Sequence, residues 1–215
     1  MQVNWKRMWM AGALLLAFAL WTWAVRCVDV QPIGPNGSPV GLAAVNGFVH
    51  GLTGVHMGLY TLTDWLGLVP VAIMLAFAVL GLAQWVCRRS LGEVDRSILV
   101  LGAFYVLVAA AYLLFEECVI NYRPVLMDGR LEASYPSSTT LLVLCVIPTA
   151  VMQLRGRMRN RWLNHAVCAA MIAFAAFMVA GRLVSGVHWV TDIVGGMLLS
   201  AGLVTGYAAL CGKRE

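Results

Sequence analysis

Residues 66–87 read LGLVPVAIMLAFAVLGLAQWVC, a run of 22 without an Asp, Glu, Lys or Arg. Wound as a helix, about 20 apolar residues match the hydrocarbon thickness of a bilayer. Five further runs of this kind occur at Met8–Val25, Ile98–Phe115, Ser138–Leu154, Leu163–Gly181 and Ile193–Cys211. Within lipid a helix satisfies its own backbone hydrogen bonds, so each run is read as a membrane-spanning helix. Lys6 and Arg7 ahead of the first run resemble the start of a signal peptide. Trp21 and Trp23 end that run, and no small-x-small cleavage pattern follows, so it is read as a retained span. The composition agrees. Of the 215 residues, 61% are hydrophobic and 12% charged, whereas a soluble domain is about 45–50% apolar and about 25% charged. A soluble globular domain and a disordered chain are both excluded. The expectation is an all-α, six-transmembrane-helix bundle forming a single domain over residues 1–215.

The charges orient the bundle. Lys6, Arg7, Arg88, Arg89, Arg96, Arg155, Arg157, Arg159, Arg161, Lys213 and Arg214 fall in segments on one side. Arg26, Arg123, Arg130 and Arg182 fall on the other. Lys and Arg accumulate in cytoplasmic loops, so both termini are expected in the cytoplasm. The net charge of +5 is then a matter of topology, and no nucleic-acid partner is expected. The six cysteines, with no CxxC pair, suggest neither a disulfide framework nor a metal site. On the outer side, Val45, Phe48, Val49 and Leu52 recur at helical spacing, which predicts a short interfacial helix.

Ionisable residues at membrane depth are candidates for function, and here they gather at the outer ends of spans three, five and six. The first cluster is Glu116-Glu-Cys-Val-Ile-Asn-Tyr-Arg-Pro124. Arg123 offers a fork of N–H donors that suits phosphate oxygens. Pro124 predicts the end of the helix, and the spacing of Glu116 and Arg123 predicts a shared helix face. The second cluster is Ser134-Tyr-Pro-Ser-Ser-Thr-Thr140, a helix start whose free N–H groups favour an anion. The third is Gly181-Arg-Leu-Val-Ser-Gly-Val-His-Trp-Val-Thr-Asp192. Four residues separate His188 from Asp192, which places them on one face of a helix. The carboxylate would then fix the imidazole tautomer and leave the other ring nitrogen as base or nucleophile. Together the clusters suggest phosphoryl transfer within residues 116–192.

These three stretches resemble the signature of the type 2 phosphatidic acid phosphatase superfamily, in its integral-membrane branch. That signature reads Lys-x6-Arg-Pro, Pro-Ser-Gly-His and Ser-Arg-x5-His-x3-Asp. Here the parts are Arg123-Pro124, Pro136-Ser137-Ser138-Thr139 and Arg182-x5-His188-x3-Asp192. The resemblance implies a metal-independent lipid phosphatase without a cofactor, in a bacterial plasma membrane with the site facing outward. Its partners would be the bilayer and a phosphorylated lipid or isoprenyl diphosphate. His188 would form a phosphohistidine, and Asp192 would orient and charge-balance it. Arg123 and Arg182 would bind phosphate oxygens, with Ser137, Ser138 and Thr139 completing the cradle.

Three positions depart from the signature. Glu116 stands at the Lys and Gly181 at the Ser. Thr139 stands at the His that protonates the leaving group, and a Thr hydroxyl is too weak an acid for that role. Three readings stay open at this point. The leaving group could be a diphosphate's phosphate, which needs little protonation. His50, His56, Glu116 or Glu117 could donate instead. Or the protein binds or transports a phosphorylated lipid without turnover.

Overall fold

A computed structural model of the chain describes residues 3–211; the expected cytoplasmic pair Lys213 and Arg214 lies outside them. The described chain is all α, with eight helices and no strand. They are α1 (Trp5–Cys27), α2 (Ala43–Thr53), α3 (Met57–Leu66), α4 (Leu68–Arg88), α5 (Arg96–Glu117), α6 (Ser138–Arg155), α7 (Arg161–Val184) and α8 (Val190–Cys211). Gly67 between α3 and α4 keeps a right-handed helical conformation, so 57–88 is one apolar span. With it, α1, α5, α6, α7 and α8 make six helices long and apolar enough to cross a membrane. The chain is an integral membrane protein.

Burial is graded across the bundle in the way a lipid-facing assembly requires. α6 and α8 form the centre, while the α3–α4 span is almost wholly peripheral. Phe18, Leu101, Phe104, Tyr105, Leu141 and Tyr207 pack between them in the main core. Large apolar side chains such as Trp9, Trp23, Val79 and Val106 are exposed along the outside of the spans. Such a surface suits hydrocarbon rather than water.

The two ends of the bundle differ. At one end the Asn4 amide donates to the Ala209 carbonyl at 3.1 Å. Near it, Asp95 pairs with Arg88 at 3.2 Å and with Arg157 at 3.3 Å. The Gln84 side-chain amide also donates to Asp95 at 2.9 Å. Gln84's hydrogen bond, ahead of the arginines, holds the Asp95 carboxyl below its ordinary value. Two of the cations expected on the interior side, Arg88 and Arg157, are thus tied with Gln84 into one network around Asp95.

The opposite end carries the loops, α2 and the helix starts of α6 and α8. The expected interfacial helix is present as α2, but its docking face differs from the apolar one. Phe48 and Leu52 are exposed, whereas Asn46 is fully buried. Asn46 donates to the Gly41 carbonyl at 2.8 Å and to Thr191 Oγ1 at 2.9 Å, and accepts from the Thr191 amide at 3.2 Å. A buried amide must be satisfied, so a polar contact fixes α2 against the first turn of α8.

Candidate phosphate-binding site

The α8 start is held by its own backbone and by neighbours. Asp192 Oδ2 accepts from the Trp189 amide at 2.9 Å, a capping contact within the first turn. Trp189 Nε1 donates to the Tyr122 carbonyl at 2.8 Å. The turn between α7 and α8 needs Gly186. Its φ is +67°, and a Cβ there would lie 1.8 Å from the Gly54 carbonyl oxygen. His188 therefore sits in this turn, two residues before α8, and not on a shared helix with Asp192 as the spacing alone suggested. The pair still forms: His188 Nδ1 lies 3.7 Å from Asp192 Oδ2, with both side chains buried.

The α6 start lies against it. The Ser137 amide donates to the Asp192 carbonyl at 3.0 Å. Ser137 Oγ caps α6 by accepting from the Thr140 amide at 3.4 Å. Ser137 is fully buried, so its hydroxyl serves the helix, while Ser138 lines the cavity beside His188.

The first cluster, Glu116 to Pro124, is arranged differently from the sequence expectation. α5 ends at Glu117, and Cys118 leaves the helix with φ −93° and ψ 75°. Pro124 is therefore not what stops it, and Glu116 and Arg123 do not share a helix face. Arg123 lies instead in a hairpin, where its amide donates to the Glu132 carbonyl at 3.0 Å. Its guanidinium Nε lies 3.1 Å from Glu132 Oε2. Backbone pairing across residues 121–134 wins over extension of an apolar helix past Glu117, because two carboxylates end the run.

This hairpin places Arg123 over His188, with Nη1 at 3.5 Å from Nε2. Arg182 approaches from the last turn of α7. Its Nη2 donates to Asp64 Oδ1 at 2.8 Å and to Thr139 Oγ1 at 2.5 Å. Its Nε and Nη1 are buried without a protein partner. A buried guanidinium with free N–H groups is an anion site by its chemistry. Burial, foremost, holds the His188 imidazole below its ordinary value; Asp192 opposes this, and both arginines reinforce it. The neutral ring is the form that carries a nucleophilic nitrogen.

A cavity of about 460 Å³ opens beside His188, lined also by Arg123, Glu116, Glu132 and Ser138. A second, apolar groove of about 400 Å³ runs between α4, α5 and α6 along Leu68, Met74, Val108 and Leu142, with Asp64 and Thr139 at its head. Tyr112, Ser138 and Leu141 line both, so the two spaces adjoin.

Of the four residues considered as substitute acids, Glu116 lines the cavity with His188. The His50 ring packs at a tilt against Trp189, 5.4 Å between centroids, and burial lowers its pKa. His56 is exposed and its Nε2 engages the Thr53 carbonyl at 2.9 Å. Glu117 is exposed and absent from the cavity wall.

Sequence reasoning missed Tyr60, Asp64 and Glu132. The Tyr60 ring lies under both guanidiniums, 4.8 Å from Arg182 Cζ and 5.8 Å from Arg123 Cζ. A signal existed for Asp64, the one charged residue between 57 and 87, since lone carboxylates bordering an apolar run rarely stay unpaired. Glu132 carried none, because its partner is chosen by the hairpin.

Fold and site together define a class: a six-span helical membrane protein whose scarce arginines meet a His–Asp pair at one end of the bundle. Residues 115–214 match the sequence pattern of the PAP2 superfamily. Its fold is similar to the crystal structure of the first transmembrane PAP2-type phosphatidylglycerolphosphate phosphatase, from Bacillus subtilis. The TM-score is 0.53 at 19% sequence identity, covering 93% of this chain and 94% of that one. No curated protein matches the sequence.

Proposed function

We propose that this protein is a phosphatase that hydrolyses a lipid phosphate or isoprenyl diphosphate at the extracytoplasmic face of a bacterial plasma membrane, through a phosphohistidine. The observation that carries the reading is the meeting of Arg123 and His188 at the wall of a polar cavity that adjoins an apolar groove, with Arg182 beside them, sharing the Tyr60 ring with Arg123 and bonding Thr139 of the groove. A phosphate would take the free donors of Arg182 and Arg123, and the hydrocarbon tail would lie in the groove. The positive charges on the opposite side of the bundle support the outward orientation.

In this scheme neutral His188 attacks phosphorus through Nε2, the nitrogen beside Arg123 Nη1. The bond from phosphorus to the leaving oxygen breaks, and Asp192 balances the charge that develops on the ring. The arginines stabilise the equatorial oxygens as charge spreads over them. Water then attacks the phosphohistidine, releasing phosphate and restoring His188. Thr139 is no general acid here: its hydroxyl is too weak an acid, and its oxygen serves as an acceptor for Arg182. A diphosphate substrate, whose leaving group is itself a phosphate, suits such a site.

The test is phosphate release by the purified protein from an isoprenyl diphosphate and from phosphatidate, with acid quench to trap the phosphohistidine. His188→Ala is expected to lower turnover by at least about a thousandfold. Release by this variant at the wild-type rate would refute the mechanism. The engagement of Thr139 by Arg182 favours one alternative, a protein that binds or transports the phosphorylated lipid. That alternative requires tight binding with neither turnover nor a trapped adduct.

A further inference from the structure

Two of the three positions that depart from the signature, Gly181 and Thr139, lie against one element outside the matched region, α3. Gly181 is the clearest case. A Cβ there would lie 2.7 Å from Thr63 Cγ2 of α3, so the missing side chain is what lets α3 pack this close to α7. Thr63 is fully buried in that contact. Its hydroxyl donates to the Leu59 and Tyr60 carbonyls at 2.9 Å, which fixes the methyl toward Gly181. Three positions before Thr63 and one after it, the same helix presents Tyr60 and Asp64, four residues apart and on one face. Both meet Arg182: the ring under its guanidinium at 4.8 Å and the carboxylate on Nη2 at 2.8 Å.

The geometry leaves Arg182 held at one corner. Nη2 is taken by Asp64 and Thr139, whereas Nε and Nη1 keep their N–H groups. The aromatic face below sets the plane of the fork, because a guanidinium is attracted to ring π density within about 6 Å. The same ring reaches Arg123 at 5.8 Å, so one aromatic side chain bridges two like-charged groups.

We propose that Tyr60 and Asp64 form a clamp that orients Arg182, aiming its free donors at the phosphate. The proposal builds on the phosphatase reading for its ligand. Both are positioning residues, acting on phosphate through Arg182. A free Arg side chain would lose rotamer entropy on each binding event; the clamp removes that loss beforehand. It also explains why Thr139 is tolerated: at this position the chain uses an acceptor for Arg182 where the superfamily signature has an acid.

The test measures inorganic phosphate affinity of the purified full-length protein in detergent micelles by calorimetry, beside thermal unfolding and phosphate release. Tyr60→Leu is expected to weaken phosphate binding about tenfold, at the scale of a desolvated cation–π contact. Tyr60→Phe keeps the ring and restores affinity to within about twofold. Asp64→Asn keeps an acceptor for Nη2 and loses the negative charge, so it binds phosphate at least as tightly as the wild type. Asp64→Ala loses both and binds about five- to tenfold more weakly than Asp64→Asn. Wild-type affinity in Tyr60→Leu, or equal affinity in the Asn and Ala variants, overturns the clamp and leaves the phosphatase reading standing. The expected binding pattern without turnover overturns the phosphatase reading and leaves the clamp. Absence of phosphate affinity in the wild type overturns both. Asp64→Ala and Tyr60→Leu lie at separate contacts, so misfolding of one leaves the other as a test.

Discussion

Gly181→Ser restores the residue of the superfamily signature and should nevertheless destabilise this protein. The new Cβ would sit 2.7 Å from Thr63 Cγ2, about 1 Å inside ordinary carbon–carbon contact. Rotation of Thr63 is resisted because its hydroxyl already holds two carbonyls at 2.9 Å. Relief therefore comes from moving α3 away from α7. Overpacking of this kind costs about 1–3 kcal/mol, while replacing a helical Gly by Ser returns about 0.5 kcal/mol. The net loss is about 0.5–2.5 kcal/mol. At this chain length each kcal/mol lowers the unfolding midpoint by about 2–4 °C, so a drop of a few degrees is expected. A shift of α3 by about 1 Å also stretches the 2.8 Å Asp64–Arg182 pair and the 4.8 Å ring contact, so phosphate affinity should fall with stability. Adding Thr63→Ser removes Cγ2 and keeps the hydroxyl. The next neighbour, Leu59 Cδ1, would be at 3.7 Å, an ordinary contact. The double variant should therefore recover both midpoint and affinity. Thermal unfolding by circular dichroism and phosphate calorimetry on the four proteins of this cycle decide the matter. An unchanged midpoint in Gly181→Ser, or no recovery in the double variant, would refute the packing argument.

The remaining predictions concern proton chemistry. Burial holds His188 below the ordinary histidine value of 6.5, so between that value and its own the unfolded chain binds a proton that the folded chain does not. Its contribution to stability is full above about pH 6.5 and declines as pH falls below it; His188→Asn should flatten that decline in unfolding measurements at stepped pH. For the same reason the acid limb of kcat/KM should lie below about pH 6.5, and a limb above it would contradict the buried neutral ring. Thr139→His places an imidazole at the head of the apolar groove, where about 400 Å³ adjoins it. Phosphate release from a monophosphate lipid should rise at least about tenfold relative to a diphosphate. An unchanged ratio would show that the absent acid does not set substrate preference.

Much of the fold was legible because the bilayer imposes a one-dimensional rule. A helix of given length must be apolar to cross hydrocarbon, and each run of the sequence satisfies that rule without reference to any other. The six spans, their alternation and the one-sided cations follow from that locality. So does the set of polar residues to watch, since charges are few and those near span ends stand out. Arg123, Arg182, His188 and Asp192 were readable because their order and spacing survive in the chain.

Other features needed the assembled bundle. Glu116 and Arg123 are seven residues apart, which suits a helix face, but the chain turns at Cys118 and gives Arg123 to Glu132 instead. α2 has an apolar stripe, yet Asn46 docks it, because an amide enclosed by other elements must find partners there. Most of all, span order and loop spacing place two arginines and a His–Asp pair near one membrane face, whereas their surroundings depend on how the helices pack. Asp64 and Tyr60 lie more than a hundred residues before Arg182, on a span with no signature of its own. They reach it because Gly181 and Thr63 let two helices approach, and close packing of that kind depends on both surfaces at once.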